Sequence, residues 1–201
     1  MKKFIFAFML ILPMLATAKK PVDAKYLKGG VPEENGVIVF RKSFSIPSMT
    51  TEKIYSILNN YINKSVIEPA IQGKRTRILS DGKEDGLIVA RVEEYMTFTH
   101  VFLNLDRTRF IYQLQAQVED NKVKMAISQI SYYYNEDSEG NNGINYKAEE
   151  WISDAEAINK KGTRLYPRSG KFRIKTINRV EDIFQKCMDA FEEGRKNVVE
   201  D

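Results

Sequence analysis

From Val37 to Ile46 the chain alternates, with Ile38, Phe40, Phe44 and Ile46 on one side and Arg41, Ser43 and Ser45 on the other. That two-residue period predicts a half-buried strand, with Lys42 the one polar residue on its apolar side. Pro47 stops the strand. Ser48 and Thr50 then offer N-caps to a helix whose Ile54, Ile57, Leu58, Tyr61 and Ile62 recur at spacings of three and four and which ends before Pro69. Asp81-Gly82 and Asp85-Gly86 predict turns, Leu87–Glu94 a strand, and Phe98–Leu105 its continuation or a neighbour, closed by a charged turn at Asp106-Arg107. Phe110, Tyr112, Leu114, Ala116 and Val118 alternate with Gln113, Gln115 and Gln117, so the sheet keeps one face wet. Residues Glu119 to Lys122 predict a hairpin turn, and Val123–Tyr134 an antiparallel return.

The remaining signals are less regular. Asn135–Asn145 is a polar, glycine-bearing loop, and Glu149–Ile158 is a candidate short helix around Trp151. The clearest helix pattern comes last. Asn178 and Glu181 resemble a capping box, Val180, Ile183, Phe184, Cys187, Met188 and Phe191 form one apolar stripe, and Gly194 is expected to end it. The order β-α-β-β-β-α predicts a two-layer α+β domain, an antiparallel sheet of about four to five strands with both amphipathic helices on one face. Residues 19–36, with Pro21, Gly29, Gly30, Pro32 and Gly36, read as an extended lead-in, residues 37–196 as a single domain, and 197–201 as a tail.

Ahead of all this, Met1-Lys2-Lys3, the uncharged apolar run Phe4–Leu15 and Ala16-Thr17-Ala18 have the three parts of a cleavable signal peptide. The apolar run is too short to span a bilayer and contains Pro13, so the expectation is export with cleavage after Ala18 and a mature form without an integral membrane segment. No cysteine lies near the cleavage site to carry a lipid anchor. Of the 201 residues, removal of the first 18 leaves 183, and the net charge falls from +4 to +2 with the loss of Lys2 and Lys3. So balanced a charge does not suggest a nucleic-acid partner. The lone Cys187 cannot form an internal disulfide, and its place on the helix stripe predicts a small buried hydrophobe.

Several segments resemble a known family. Lys25–Pro32 followed by Gly36–Phe40, then Glu150–Asp154, Asn159–Gly162 and Lys171–Ile177, are similar to the signatures of a bacterial family of exported proteins of unknown function with a TATA-binding-protein-like (TBP-like) fold. The family is found mainly in Bacteroides-type bacteria. The resemblance runs from about Tyr26 to the last helix and implies a TBP-like sheet and export, with no catalytic residue to transfer. Ser153 and Asn178 stand where the family pattern has threonine and aspartate.

Candidate chemistry is sparse. His100, the only histidine, stands in a strand pattern with no nucleophile-elbow serine, so no catalytic residue is assigned. The sequence Asn135-x-Asp137-x-Glu139-Gly140 echoes the start of a calcium loop, but its twelfth position is Tyr146, and neither a metal nor a cofactor is expected. Ser169-Gly170-Lys171 lacks the upstream glycine spacing of a phosphate-binding loop. Glu93-Glu94 would point to opposite faces of a strand, which suits acid–base chemistry poorly.

Two surfaces remain. Gln113, Gln115 and Gln117 with Tyr132 and Tyr134 are expected to form a polar, aromatic recognition surface on the wet sheet face. Between Ala157 and Val180, Lys160, Lys161, Arg164, Arg168, Lys171, Arg173, Lys175 and Arg179 occur without one acidic residue, a candidate anion patch unless the acids of the last helix neutralise it. The sequence thus favours an exported non-catalytic binding module of the bacterial envelope, its partner an envelope protein, peptide or glycan. The alternatives are a hydrolase using carboxylates gathered in space, and a dock for lipid A or an anionic glycan through residues 160–179.

Overall fold

Strand formation in the middle of the chain follows the period-two burial closely. In the computed structural model, which describes residues 21–72, 75–101, 104–136 and 142–199, Ile88, Ala90 and Val92 of β5 (Leu87–Val101) and Phe110, Tyr112, Leu114 and Ala116 of β6 (Asn104–Glu119) are at most 1% exposed. β7 (Lys122–Tyr134) returns from β6 through a turn in which Asn121 takes a positive φ. With β3 (Phe40–Ser45) and β4 (Arg77–Gly82) these form an antiparallel sheet in the order β3-β7-β6-β5-β4. β8 (Ile144–Lys147) pairs with Ser131–Tyr134 of β7, on the edge that β3 occupies over Lys122–Ile127.

The sheet therefore has six strands. The two beyond the sequence expectation are short: β4 packs only Ile78 against the core from its own length, and β8 has no buried residue. Two further corrections concern local signals. Asp106-Arg107 is no turn but lies inside β6, opposite Thr97 and Thr99. The lead-in is also more regular than its glycines suggest: Ala24–Tyr26 is a 3-10 turn, and β1 (Glu33–Glu34) pairs with β2 (Val37–Ile38).

Helix α1 (Thr51–Tyr61) starts where predicted, with the Thr50 hydroxyl accepting the Lys53 N–H at 3.3 Å, and continues as a π-helical turn over Ile62–Ile67. α2 (Asp154–Ala157) is all that forms of the helix expected over Glu149–Ile158. The last helix, α3, differs most from its sequence pattern. It spans Pro167–Val199, beginning eleven residues before Asn178 and running through Gly194. A Cβ at Gly194 would lie 2.5 Å from Cδ1 of Ile57, so this glycine admits α1 rather than ending α3. At the other end Gly170 allows Leu165 to approach, where a Cβ would meet its Cβ at 2.7 Å.

Both helices lie on one face of the sheet and share one core with it. Ile54, Leu58, Tyr61 and Ile62 meet Val180, Ile183, Cys187 and Phe191 in the same cluster as the inward residues of β5, β6 and β7. Around the first turns of α3, Phe172 is ringed by Phe98, Tyr132, Tyr134 and Trp151 at centroid distances of 4.5 to 5.8 Å. Beside it Arg173 is 0% exposed. Its Nε donates to Tyr26 O, Nη1 to Ile152 O, and Nη2 to Leu27 O and Asp154 Oδ1, all at 2.6 to 2.7 Å. One guanidinium thus holds the lead-in, the segment before α2 and helix α3 together.

Replacing Arg173 with leucine leaves three carbonyls and a carboxylate without their donor. The expected loss is about 3–5 kcal/mol, seen as a lower urea midpoint at unchanged slope. Cys187 is fully buried, and burial pushes its thiol up to about 12 from 9.0. A thiol whose folded value is raised stabilises the fold fully below pH 9 and progressively less as pH climbs toward 12. Native protein at pH 8 should therefore resist a thiol reagent that labels the urea-unfolded chain at once.

Candidate open-face binding site

The face of the sheet turned away from the helices carries the odd-numbered residues of β6 and, as far as the register shift after Thr97, those of β5. Here Gln113 and Gln117 are half-buried and Gln115 exposed, as the alternation predicts. Gln117 is partly engaged, its Nε2 donating to Asp85 O at 2.6 Å and Val118 O at 3.1 Å. Gln115 and Gln117, with Ser43, Lys124 and Ala126, line a shallow concavity of about 270 Å³.

The tyrosines expected beside this row are on the other face. Register shifts between Ile111 and Gln113: Gln113 pairs with Ser128 and Ile111 with Ser131, so β7 carries one extra residue, and Gln129 in that bulge has φ 51°. The bulge exchanges the faces of the residues after it. Tyr132 is consequently 0% exposed and shares a 2.7 Å hydrogen bond with the Thr176 hydroxyl, while Tyr134 donates to Asp106 at 2.8 Å beneath α3. Burial raises the Tyr132 phenol's pKa further above its usual value. Tyr133 is the tyrosine that reaches the open face, where the Arg109 guanidinium lies 5.6 Å from its ring. The sequence does hold a trace of the bulge: Val123, Met125 and Ile127 keep period two, and the next apolar residue, Ile130, breaks it.

Beside Tyr133 stands a cluster that composition alone did not reveal. Glu93, 4% exposed, accepts from Arg109 at 3.1 Å and lies 3.7 Å from Arg75, while Arg109 also pairs with Glu136. The Thr76 hydroxyl bridges the backbone N–H and C=O of Glu93 at 3.1 and 3.2 Å. Two buried atoms of the cluster, Arg109 Nε and Glu136 Oε1, have no hydrogen-bond partner among the described residues. Tyr95, 42% exposed with Arg107 stacked 3.9 Å from its ring, extends the surface. Glu94, next in sequence, points the opposite way and takes a bidentate pair from Arg179 at 2.8 Å, Arg179 also holding Asp182.

The basic run divides into two groups. Arg173 is internal, and Lys171 is half-buried against Phe98, Tyr134 and Phe172 while pairing with Asp106 at 2.6 Å. Burial alone would lower the Lys171 pKa, but its bonds to Asp106 and Tyr134 raise it overall. Lys160, Lys161, Arg164, Arg168 and Lys175 are exposed and have no carboxylate partner among the described residues. The acids of α3 therefore do not neutralise them: Glu181 pairs with Lys25, and Asp182 with Arg179 and Lys186. No group of three metal-ligating side chains occurs among the described residues. His100 stands opposite Leu105 in the β5–β6 register, and Asp137, Glu139 and Gly140 of the calcium-loop echo fall outside the described residues, as does the signal-like segment 1–18.

An antiparallel sheet backed by helices on one face and open on the other defines a TBP-like α+β domain. A family model described as a domain of unknown function (DUF4468) with TBP-like fold matches residues 40–133. A DUF4468 family protein of Bacteroides ovatus is 33% identical, with 86% of this chain and 96% of that one covered and a TM-score of 0.77. The chain belongs to the DUF4468 family. A TBP-like protein of Parabacteroides distasonis, 21% identical over 81% of this chain and 97% of its own, shares the fold with a TM-score of 0.63. No curated protein matches the chain.

Removing the buried carboxylate should destabilise the open-face cluster: Glu93→Ala is expected to lose about 2 kcal/mol, since Arg109 and Arg75 keep some solvent access. Glu93→Gln should lose less, because an amide oxygen still accepts from Arg109. Urea titrations of the two variants measure the difference.

Proposed function

We propose that this protein is an exported, non-catalytic binding module of the bacterial envelope that uses the open sheet face to hold an envelope protein, peptide or glycan. The observation that carries the reading is the set of polar and aromatic side chains that reach solvent on the sheet face away from the helices: exposed Gln115, half-buried Gln113, and Tyr95 with Tyr133 on the same side. A ligand rich in amide or hydroxyl groups would hydrogen-bond Gln113 and Gln115, with Tyr95 and Tyr133 as flat aromatic contacts. Export rests on the signal-like residues 1–18 and accords with kinship to Bacteroides and Parabacteroides proteins. Among the described residues, no helix is long and apolar enough to cross a membrane.

The hydrolase alternative gains no support from the carboxylates. Glu93 and Glu136 share Arg109, and Glu94 and Asp182 share Arg179, so each pair is held by a guanidinium instead of facing a substrate across a cleft. Affinity capture from envelope extract, together with a glycan array, tests the proposal with wild-type and Gln113→Arg/Gln115→Arg baits. A partner held by the wild type and lost by the doubly substituted bait is the expected result. Turnover of an envelope peptide or glycan, or capture indifferent to both substitutions, would overturn it.

A further inference from the structure

Four of the five unpaired cations of the basic run, Lys160, Lys161, Arg164 and Arg168, lie in or just after one tight turn, while Lys175 stands apart beside Glu94 and Arg179. Asn159 Oδ1 accepts the N–H groups of Thr163 and Arg164 at 2.9 and 3.0 Å, and the Gly162 N–H donates to Asn159 O at 2.8 Å. The Asn159 N–H closes the turn on Arg164 O at 2.9 Å, leaving Lys160 and Lys161 exposed at its tip. The lead-in brings Lys28 beside them across a concavity of about 480 Å³. Lys28, Lys160, Lys161, Arg164 and Arg168 all lack a carboxylate partner among the described residues. Of the nearby acids, Asp154 is engaged by Arg173 and the Gly29 N–H, Asp23 accepts the Lys25 N–H, and Glu156 is exposed.

Apolar surface is exposed at the same place. Tyr166, 44% exposed, stands between that concavity and a second of about 580 Å³ lined by Pro21, Val22, Leu165, Pro167 and Ile174. Val22 is itself 37% exposed.

Cations beside exposed tyrosine and aliphatic side chains match the boundary of a bilayer, with charges at the level of the headgroup phosphates and rings just below them. A soluble phosphate or an acidic polysaccharide would account for the lysines and arginines but not for the apolar centre. We propose that this end of the molecule, formed by residues 159–168 with Lys28 and Val22, docks on a membrane surface rich in anionic phospholipid. The inference goes beyond the open-face reading and uses none of its residues, so either can fail alone.

Co-sedimentation of the processed protein, its N-terminus read by mass spectrometry, tests this with vesicles of phosphatidylcholine alone or with about a third phosphatidylglycerol. Binding to the anionic vesicles should be at least about tenfold stronger and should weaken between about 0.05 M and 0.5 M salt. Lys160→Glu/Lys161→Glu should reduce it about tenfold, as should Arg164→Glu/Arg168→Glu if the first pair perturbs the turn. Tyr166→Ser should weaken the binding that survives high salt. Equal binding to both vesicles, no binding, or charge variants that bind like wild type would overturn the proposal. Retention on dextran sulfate without vesicle binding would identify a polysaccharide site instead, and release from vesicles by about 10 mM inorganic phosphate at constant ionic strength a free-anion site; either result overturns it.

Discussion

The buried guanidinium of Arg173 is the interaction on which the arrangement of the rest depends. A charge taken wholly out of water is tolerated only where its donors are met. Here two carbonyls of the lead-in, one carbonyl of Ile152 and the Asp154 carboxylate meet them. Because those acceptors come from two separate stretches, satisfying one side chain fixes the relative position of three. Phe172, next to it, does the apolar counterpart of the same work through its ring contacts with the sheet and with Trp151.

The same helix shows why part of the fold was legible in the sequence and part was not. Residues 180–191 carry an uninterrupted apolar stripe, and all of it packs inward. Upstream, from Pro167 to Arg179, Phe172, Arg173, Thr176 and Ile177 fill buried positions amid four other cations, so the stripe is hidden under polar letters whose partners lie far away in sequence. Gly194 misled for a related reason. Glycine marks a close approach as readily as an end, and only the position of Ile57 distinguishes them. α1, the inward rows of β5 and β6, and β7 before its bulge needed no such distant information, since their periodicity and the Thr50 cap act locally.

The open face was half legible. Three alternating glutamines identify its direction, but the extra residue at Gln129 moves the tyrosines off it and delivers Tyr133 in their place. A bulge is worth one residue of register, and with a period of two that is enough to exchange every later side chain between oil and water. The Glu93–Arg109–Glu136 cluster, joining three elements, had no sequence signal beyond the expectation that Glu93 and Glu94 diverge. The basic segment was read as a unit, and the fold divides it into cations with structural partners and cations facing solvent.

One kinetic consequence follows from the contacts of Arg173. Tyr26 and Arg173 stand 147 residues apart, so the clasp between them closes one of the longest loops the chain can make, and its entropy must be lost before the bonds form. The hairpins of the sheet need no such wait. Assembly should therefore end where the polypeptide begins, with the lead-in settling last onto a sheet and helix already in place, like a drawstring pulled tight at the neck of a filled bag.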